Sequence, residues 1–101
     1  MSLKKQYDKK RPVCKVTFTI PKQISDLINT AHLVGDFNDW NTTATPMKRL
    51  KNGSFAATLT LRGNTEYQFR YFLDGVRWEN DLDADKCVRN EYGSENSVLV
   101  V

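Results

Sequence analysis

Trp40 and Trp78 are the residues whose type and setting most demand a chemical reason. Trp40 stands inside Asn38-Asp39-Trp40-Asn41-Thr42-Thr43, where every neighbour is polar. Trp78 stands between Arg77 and Glu79, just past Asp74-Gly75. A covered tryptophan buries about 150–250 Å², so an indole left in water needs explaining. Two readings are open at this point: each indole closes an open end of a β-sandwich, or the pair forms a platform for sugar rings. A pyranose has a face of C–H groups that can lie on an indole while its hydroxyls reach sideways to Asn, Gln and Arg donors. Covering about 100 Å² of each indole, at about 25 cal/mol per Å², yields about 5 kcal/mol gross for the two. Each sugar hydroxyl exchanging water for protein adds about 0.5–1.5 kcal/mol, and association costs several. The balance predicts dissociation constants between about 1 mM and 1 μM.

Other residue sets carry less. Glu79, Asp81, Asp83 and Asp85 begin like a calcium loop, but Lys86 stands at its glycine position and Tyr92 at its closing glutamate. Paired carboxylates about 5–9.5 Å apart do glycoside hydrolysis, yet the chain offers no second domain to form a cleft around them. The barrel that commonly houses that chemistry takes roughly 250 residues, and this chain has 101. His32, the one histidine, lies on the polar phase of a strand with no nucleophile pattern beside it and reads as structural. Cys14 and Cys87 lack a CxxC arrangement, and with a single histidine a zinc site does not assemble. No catalytic residue, metal or cofactor is therefore expected.

Length and composition (40% hydrophobic, 27% charged) describe one globular domain. No apolar run approaches the ~20 residues of a membrane-spanning helix. No apolar stretch follows the charged start, so free thiols in a reducing cytoplasm are the expectation. Charge is uneven. Residues 1–11 hold Lys4, Lys5, Lys9, Lys10 and Arg11 against Asp8, so they exceed the net +3 of the chain and leave the rest slightly acidic. This segment reads as a basic, disordered tail, with a folded domain over 12–101. Neither nucleic acid nor membrane is expected as a partner.

Beyond the tail the pattern has period two. Cys14, Val16, Phe18 and Ile20 alternate with polar residues until Pro21. Residues 21–29 connect, with Ile24, Leu27 and Ile28 placed to close one helical turn over the core. Strands follow over 31–35 and 47–50, then Asn52-Gly53 gives a hairpin signal. Phe55, Ala57, Leu59 and Leu61 share one face of the return strand. Over 66–73, Tyr67, Phe69, Tyr71 and Leu73 oppose Gln68, Arg70 and Phe72. Asp74-Gly75 turns the chain into 76–79, residues 80–96 are a polar loop, and 97–101 is a last apolar strand. About seven short strands with frequent turns specify an all-β antiparallel sandwich.

Leu33-Val34-Gly35-Asp36-Phe37-Asn38-Asp39-Trp40, Tyr67 to Gly75, Trp78, and Gly93-Ser94-Glu95-Asn96-Ser97-Val98 occur in that order. Together they resemble carbohydrate-binding module family 48, over about residues 13–101. That family includes the glycogen-binding domain of AMP-activated protein kinase β subunits and the N-terminal early-set domain of isoamylases and branching enzymes. The resemblance implies an immunoglobulin-like early-set sandwich that binds α-1,4-linked glucan (glycogen, starch, maltooligosaccharide) without catalysis. It assigns binding to Trp40, Arg70, Trp78 and Asn96, with Tyr92 and Ser94 on the rim. Arg70 replaces a common lysine, Leu82 replaces a usual proline, and the turn before Trp78 is one residue longer than in the kinase domains. An extra residue swings the indole to the other face unless a bulge absorbs it. The alternative function is an interaction or regulatory module of the same fold, docking a glycoside hydrolase family 13 or kinase-type partner.

Overall fold

The computed structural model describes residues 1–101 as two antiparallel sheets packed face to face. In chain order the elements are β1 (Ser2–Tyr7), β2 (Val13–Ile20), α1 (Lys22–Ser25), β3 (Ala31–Gly35), a 3-10 turn (Asp36–Asn38), β4 (Lys48–Arg49), β5 (Phe55–Arg62), β6 (Glu66–Leu73), β7 (Arg77–Glu79), β8 (Lys86–Arg89) and β9 (Glu95–Val100). One sheet runs β1-β2-β5-β4; the other runs β3-β6-β9-β8, with β7 also on β6. This is the immunoglobulin-like, early-set sandwich, with nine strands where the sequence predicts about seven. No helix is long and apolar enough to cross a membrane.

The alternation in the sequence is the alternation in space. Cys14, Val16, Phe18 and Ile20 of β2 are fully buried and meet Leu33, Phe69, Tyr71, Leu73 and Leu99 from the other sheet. Phe18 and Phe69 pack edge to face with centroids 5.2 Å apart, and Phe69 and Tyr71 do the same at 5.8 Å. The Tyr71 hydroxyl donates to the Asp81 carboxylate at 2.7 Å, deep between the layers. Burial, with the Asp81 charge behind it, pushes the Tyr71 phenol well above its ordinary value.

The two strands beyond the expected seven are β1 and β8, and both correct the sequence reading. Ser2–Tyr7 is a strand in register with β2, Ser2 opposite Thr19 and Tyr7 opposite Cys14, where a disordered tail over 1–11 is expected. Leu3 packs on the core, and Lys5 Nζ reaches across to Asp85 at 2.7 Å and to the Val100 carbonyl at 2.8 Å, tying one sheet to the other. Burial alone raises the Asp85 carboxyl, but the Lys5 ammonium and the Val100 N–H outweigh it and leave that carboxyl below its usual range. β8 lies inside the segment expected to be a polar loop and is held by β9, Cys87 opposite Ser97. A smaller correction concerns Leu27, which faces solvent; buried Ser25 takes that place, donating to the Ile20 carbonyl and accepting the Phe55 N–H.

Candidate functional site

The outer side of the second sheet is organised by β6. Inward Phe69, Tyr71 and Leu73 leave Gln68, Arg70 and Phe72 facing out. One edge of β6 pairs with β3, placing Arg70 opposite Val34 and Phe72 opposite His32. The other edge changes partner midway, from β9 (Phe69 opposite Ser97) to β7 (Tyr71 opposite Glu79). Arg70 sits at this hand-over. Asn80 stitches the junction: its amide donates to the Glu95 carbonyl at 2.8 Å and accepts the Ser97 hydroxyl at 2.8 Å.

The longer turn before Trp78 resolves by a bulge. Asp74 (φ 53°) and Gly75 (φ 69°) make the left-handed turn with the Val76 N–H on the Leu73 carbonyl at 3.1 Å. Val76 is left unpaired and Leu73 pairs with Arg77, so Trp78 falls opposite Phe72, on the outer face. The rings stack at 4.4 Å with 33° between planes, and the Arg70 guanidinium lies 5.6 Å from the indole centroid. Arg70 Nε is buried without a hydrogen-bond partner. The Asp74 carboxylate accepts the N–H groups of Thr30 and Asn29, which hold its carboxyl below the ordinary value and pin the turn beside the start of β3.

Trp40 arrives from the opposite edge. Gly35 passes so close to β6 that a Cβ there would lie 2.5 Å from the Gln68 carbonyl oxygen and 2.8 Å from Phe69 Cβ. The chain then turns through Asp36–Asn38 and two left-handed residues, Asp39 (φ 55°) and Trp40 (φ 57°). Such backbone costs about 1–3 kcal/mol per residue, and hydrogen bonds offset it. The Trp40 N–H donates to the Gly35 carbonyl at 2.9 Å. Asn38 accepts the Gly35 N–H and donates to the Leu33 carbonyl and the Thr45 hydroxyl. The Asp36 carboxylate accepts both the Trp40 indole N–H at 3.0 Å and the Gln68 N–H at 2.7 Å, clamping the ring to β6.

A row of amides completes the site. Asn96 donates to Gln68 Oε1 at 3.0 Å and accepts from Asn90 Nδ2 at 3.2 Å, while Asn90 Oδ1 accepts the N–H groups of Tyr92 and Ser94 and shapes the β8–β9 loop. Beneath these side chains lies an apolar layer. Val34 and Val98 lie outside the core cluster on this outer face, yet are 0% and 1% exposed.

These elements surround one open cleft of about 580 Å³, lined by Trp40, Gln68, Arg70, Trp78, Asn90, Glu91, Tyr92 and Asn96. Five of the six sequence-chosen residues therefore meet there. Ser94 is exposed and outside the lining; it reaches the site through its backbone, whose N–H donates to Asn90 Oδ1 and whose carbonyl accepts the Asn90 N–H. The sequence does not single out Gln68, Asn90 or Glu91. Gln68 shares the outward phase of Arg70, which was signal enough to include it; Asn90 and Glu91 come from a loop without periodicity. The arrangement offers two half-buried indoles, a cation and a row of amides to a neutral polyhydroxylated ligand.

The acidic run is dispersed. Asp81 is buried against Tyr71, Asp85 holds Lys5, Glu79 pairs with Arg77, and Asp83 faces the N-terminal ammonium. His32 lies on the outer face between Pro46 and Phe72, its Nδ1 buried without a partner.

Comparison with known families gives a match to the model of Carbohydrate-binding module 48 (Isoamylase N-terminal domain) over residues 29–86, more than half of the chain. The matched stretch contains Trp40, Arg70 and Trp78 and ends before Asn90 and Asn96. Comparison with curated proteins gives no match.

Proposed function

The chain belongs to the carbohydrate-binding module 48 family, and from that premise we propose that its outer-face cleft binds α-1,4-linked glucan without catalysis. Trp40 and Trp78 carry the sugar rings, Arg70 and Asn96 bind hydroxyls between them, and Gln68 and Tyr92 border the ligand. The observation that carries the reading is the convergence of both indoles and Arg70 on one open cleft. Chain shape supports the α linkage. An axial glycosidic bond turns each glucose against the last, so the polymer curls and can meet indoles brought by two different elements. A β-1,4 chain is a flat ribbon, better matched by a coplanar strip of rings. The half-buried Arg70 guanidinium, held beside the Trp78 indole, brings charged donors to the rim of the cleft. Two thiols left free, Cys14 buried and Cys87 exposed, are in keeping with a reducing, cytoplasmic setting.

The test is tryptophan fluorescence with maltoheptaose and, separately, cellohexaose. The proposal expects saturable quenching by the first, with a dissociation constant between about 1 mM and 1 μM, and at least about tenfold weaker response to the second. Equal responses overturn the α-glucan assignment. A flat response to both, with an intact fold, overturns binding at this cleft and favours the docking of a protein partner.

A further inference from the structure

The sequence singles out a basic segment that glucan binding leaves unused, and the structure shows where it goes. Once Ser2–Tyr7 joins the first sheet, Lys4 and Gln6 lie outward beside Thr17 and Lys15 of β2. These continue across to Thr58 and Thr60 of β5, Val13 pairs with Arg62, and Ala56 pairs with Lys48 of β4. The outer face of β1-β2-β5-β4 is thus a field of hydroxyls studded with Lys4, Lys15, Lys48 and Arg62, all exposed. None of the four makes an ion pair. The outward positions of this sheet's strands thus hold four cationic side chains and no carboxylate, whereas those of the other sheet hold two cations, Arg70 and Lys86, and one carboxylate, Glu66. At the β1–β2 end, Lys9, Lys10 and Arg11 extend the field. There a pocket of about 170 Å³ is lined by Tyr7, Asp8, Arg11, Lys15 and Thr60 among others. Asp8, the one acid nearby, has its carboxylate taken by the N–H groups of Lys10 and Arg11.

Scattered surface lysines are normally solvated among acids and cancel. Here the acids are missing from a whole face, so its potential adds rather than cancels. From this charge pattern we propose that the outer face of the β1-β2-β5-β4 sheet docks an acidic protein surface, independently of whatever fills the cleft. The strands, six, eight, eight and two residues long, lie about 4.8 Å apart at about 3.4 Å per residue and span about 400 Å², the scale of a transient contact rather than a permanent one. The face presents neither a helix nor a ribbon to enter a duplex groove and no row of rings for unpaired bases. Its threonine hydroxyls supply hydrogen-bonding points that carboxylate-bearing side chains and backbone can match.

Fluorescence anisotropy with labelled poly-L-glutamate, in parallel with duplex DNA and phosphatidylserine vesicles, tests this. Poly-L-glutamate is expected to bind at about 0.05 M salt and to be released by about 0.5 M. Lys15→Glu combined with Arg62→Glu is expected to weaken it by at least about tenfold, while Trp40→Ala leaves it unchanged and maltoheptaose does not compete. Where the double reversal lowers the melting temperature, the neutralising pair Lys4→Gln with Lys48→Gln is read instead and should weaken binding by about threefold. DNA or vesicles held as tightly as poly-L-glutamate overturn the assignment to a protein. Binding that survives both variants, or no binding at low salt, overturns the face itself. Loss with Trp40→Ala but not with the charge variants overturns it as well, by assigning the anion to the cleft.

Discussion

The two sheets use the same alternation to build their inner faces and opposite logic to finish their outer ones. On β2 and β5 the outward residues are short or charged and lie in water: Lys15, Thr58, Thr60, Arg62. On β3, β6 and β9 the outward positions include Val34 and Val98, buried despite facing away from the core, and Phe72 stacked on Trp78. The first face needs nothing more than the sheet beneath it. The second is built as a shallow second core, with its own apolar layer, its own clamp at Asp36 and its own amide row. A surface packed to that degree is pre-ordered, and pre-ordering spares a ligand part of the cost of fixing side chains.

Substitutions separate the two faces most sharply at the indoles. Trp78→Ala is expected to weaken maltoheptaose binding by roughly 30- to 100-fold, about 2–3 kcal/mol, whereas Thr58→Ala on the opposite face changes it less than twofold. Titration calorimetry reads both. Gly35→Ala tests whether the loop depends on close approach to β6: a methyl 2.5 Å from the Gln68 oxygen should cost about 1–3 kcal/mol in urea unfolding and weaken binding with it. Asp36→Ala frees the Trp40 indole and the Gln68 N–H and is expected to lower affinity about fivefold, about 1 kcal/mol, and Asp36→Asn does not restore it, because each carboxylate oxygen accepts one donor and the amide NH2 would face the other. The smallest effect is acid. Asp85 and Asp74 have carboxyls held below their ordinary values in the folded chain. The stability they add is full above their unfolded values near pH 4 and is lost as pH falls through the folded ones. Hydrogen exchange should show the β1 amides opening earlier at pH 3 than at pH 6, with Lys5→Met narrowing that difference; equal protection at both pH values contradicts it.

What the sequence made legible was whatever is written locally. β2, β5 and β6 announce themselves by period two, and Asn52-Gly53 and Asp74-Gly75 by turn chemistry. Of β1's inward positions only Leu3 packs on the core, Tyr7 staying exposed; its order comes from pairing with β2 and from Lys5 reaching Asp85 and Val100, partners about eighty and ninety-five residues away. Nothing local signals that. Lys86-Cys87-Val88-Arg89 is equally silent without β9. At the site, Trp40, Arg70 and Trp78 stood out as aromatics or cations on polar phases. Asn90 did not, because its role is to shape a loop and pass a hydrogen bond to Asn96, and only the folded chain brings those two amides together. The face of Trp78 also needed the structure, since whether Val76 bulges or shifts the register is decided by pairing with β6.

The most direct test follows side-chain signals in a ¹⁵N–¹H correlation spectrum while maltoheptaose is added. Both indole N–H signals, Arg70 Nε–H and the side-chain amides of Gln68 and Asn96 are expected to move together along one saturable curve, while the backbone amides of β1, β2 and β5 stay still. Shifts confined to one indole, or clustered on the β1-β2-β5-β4 face, contradict it.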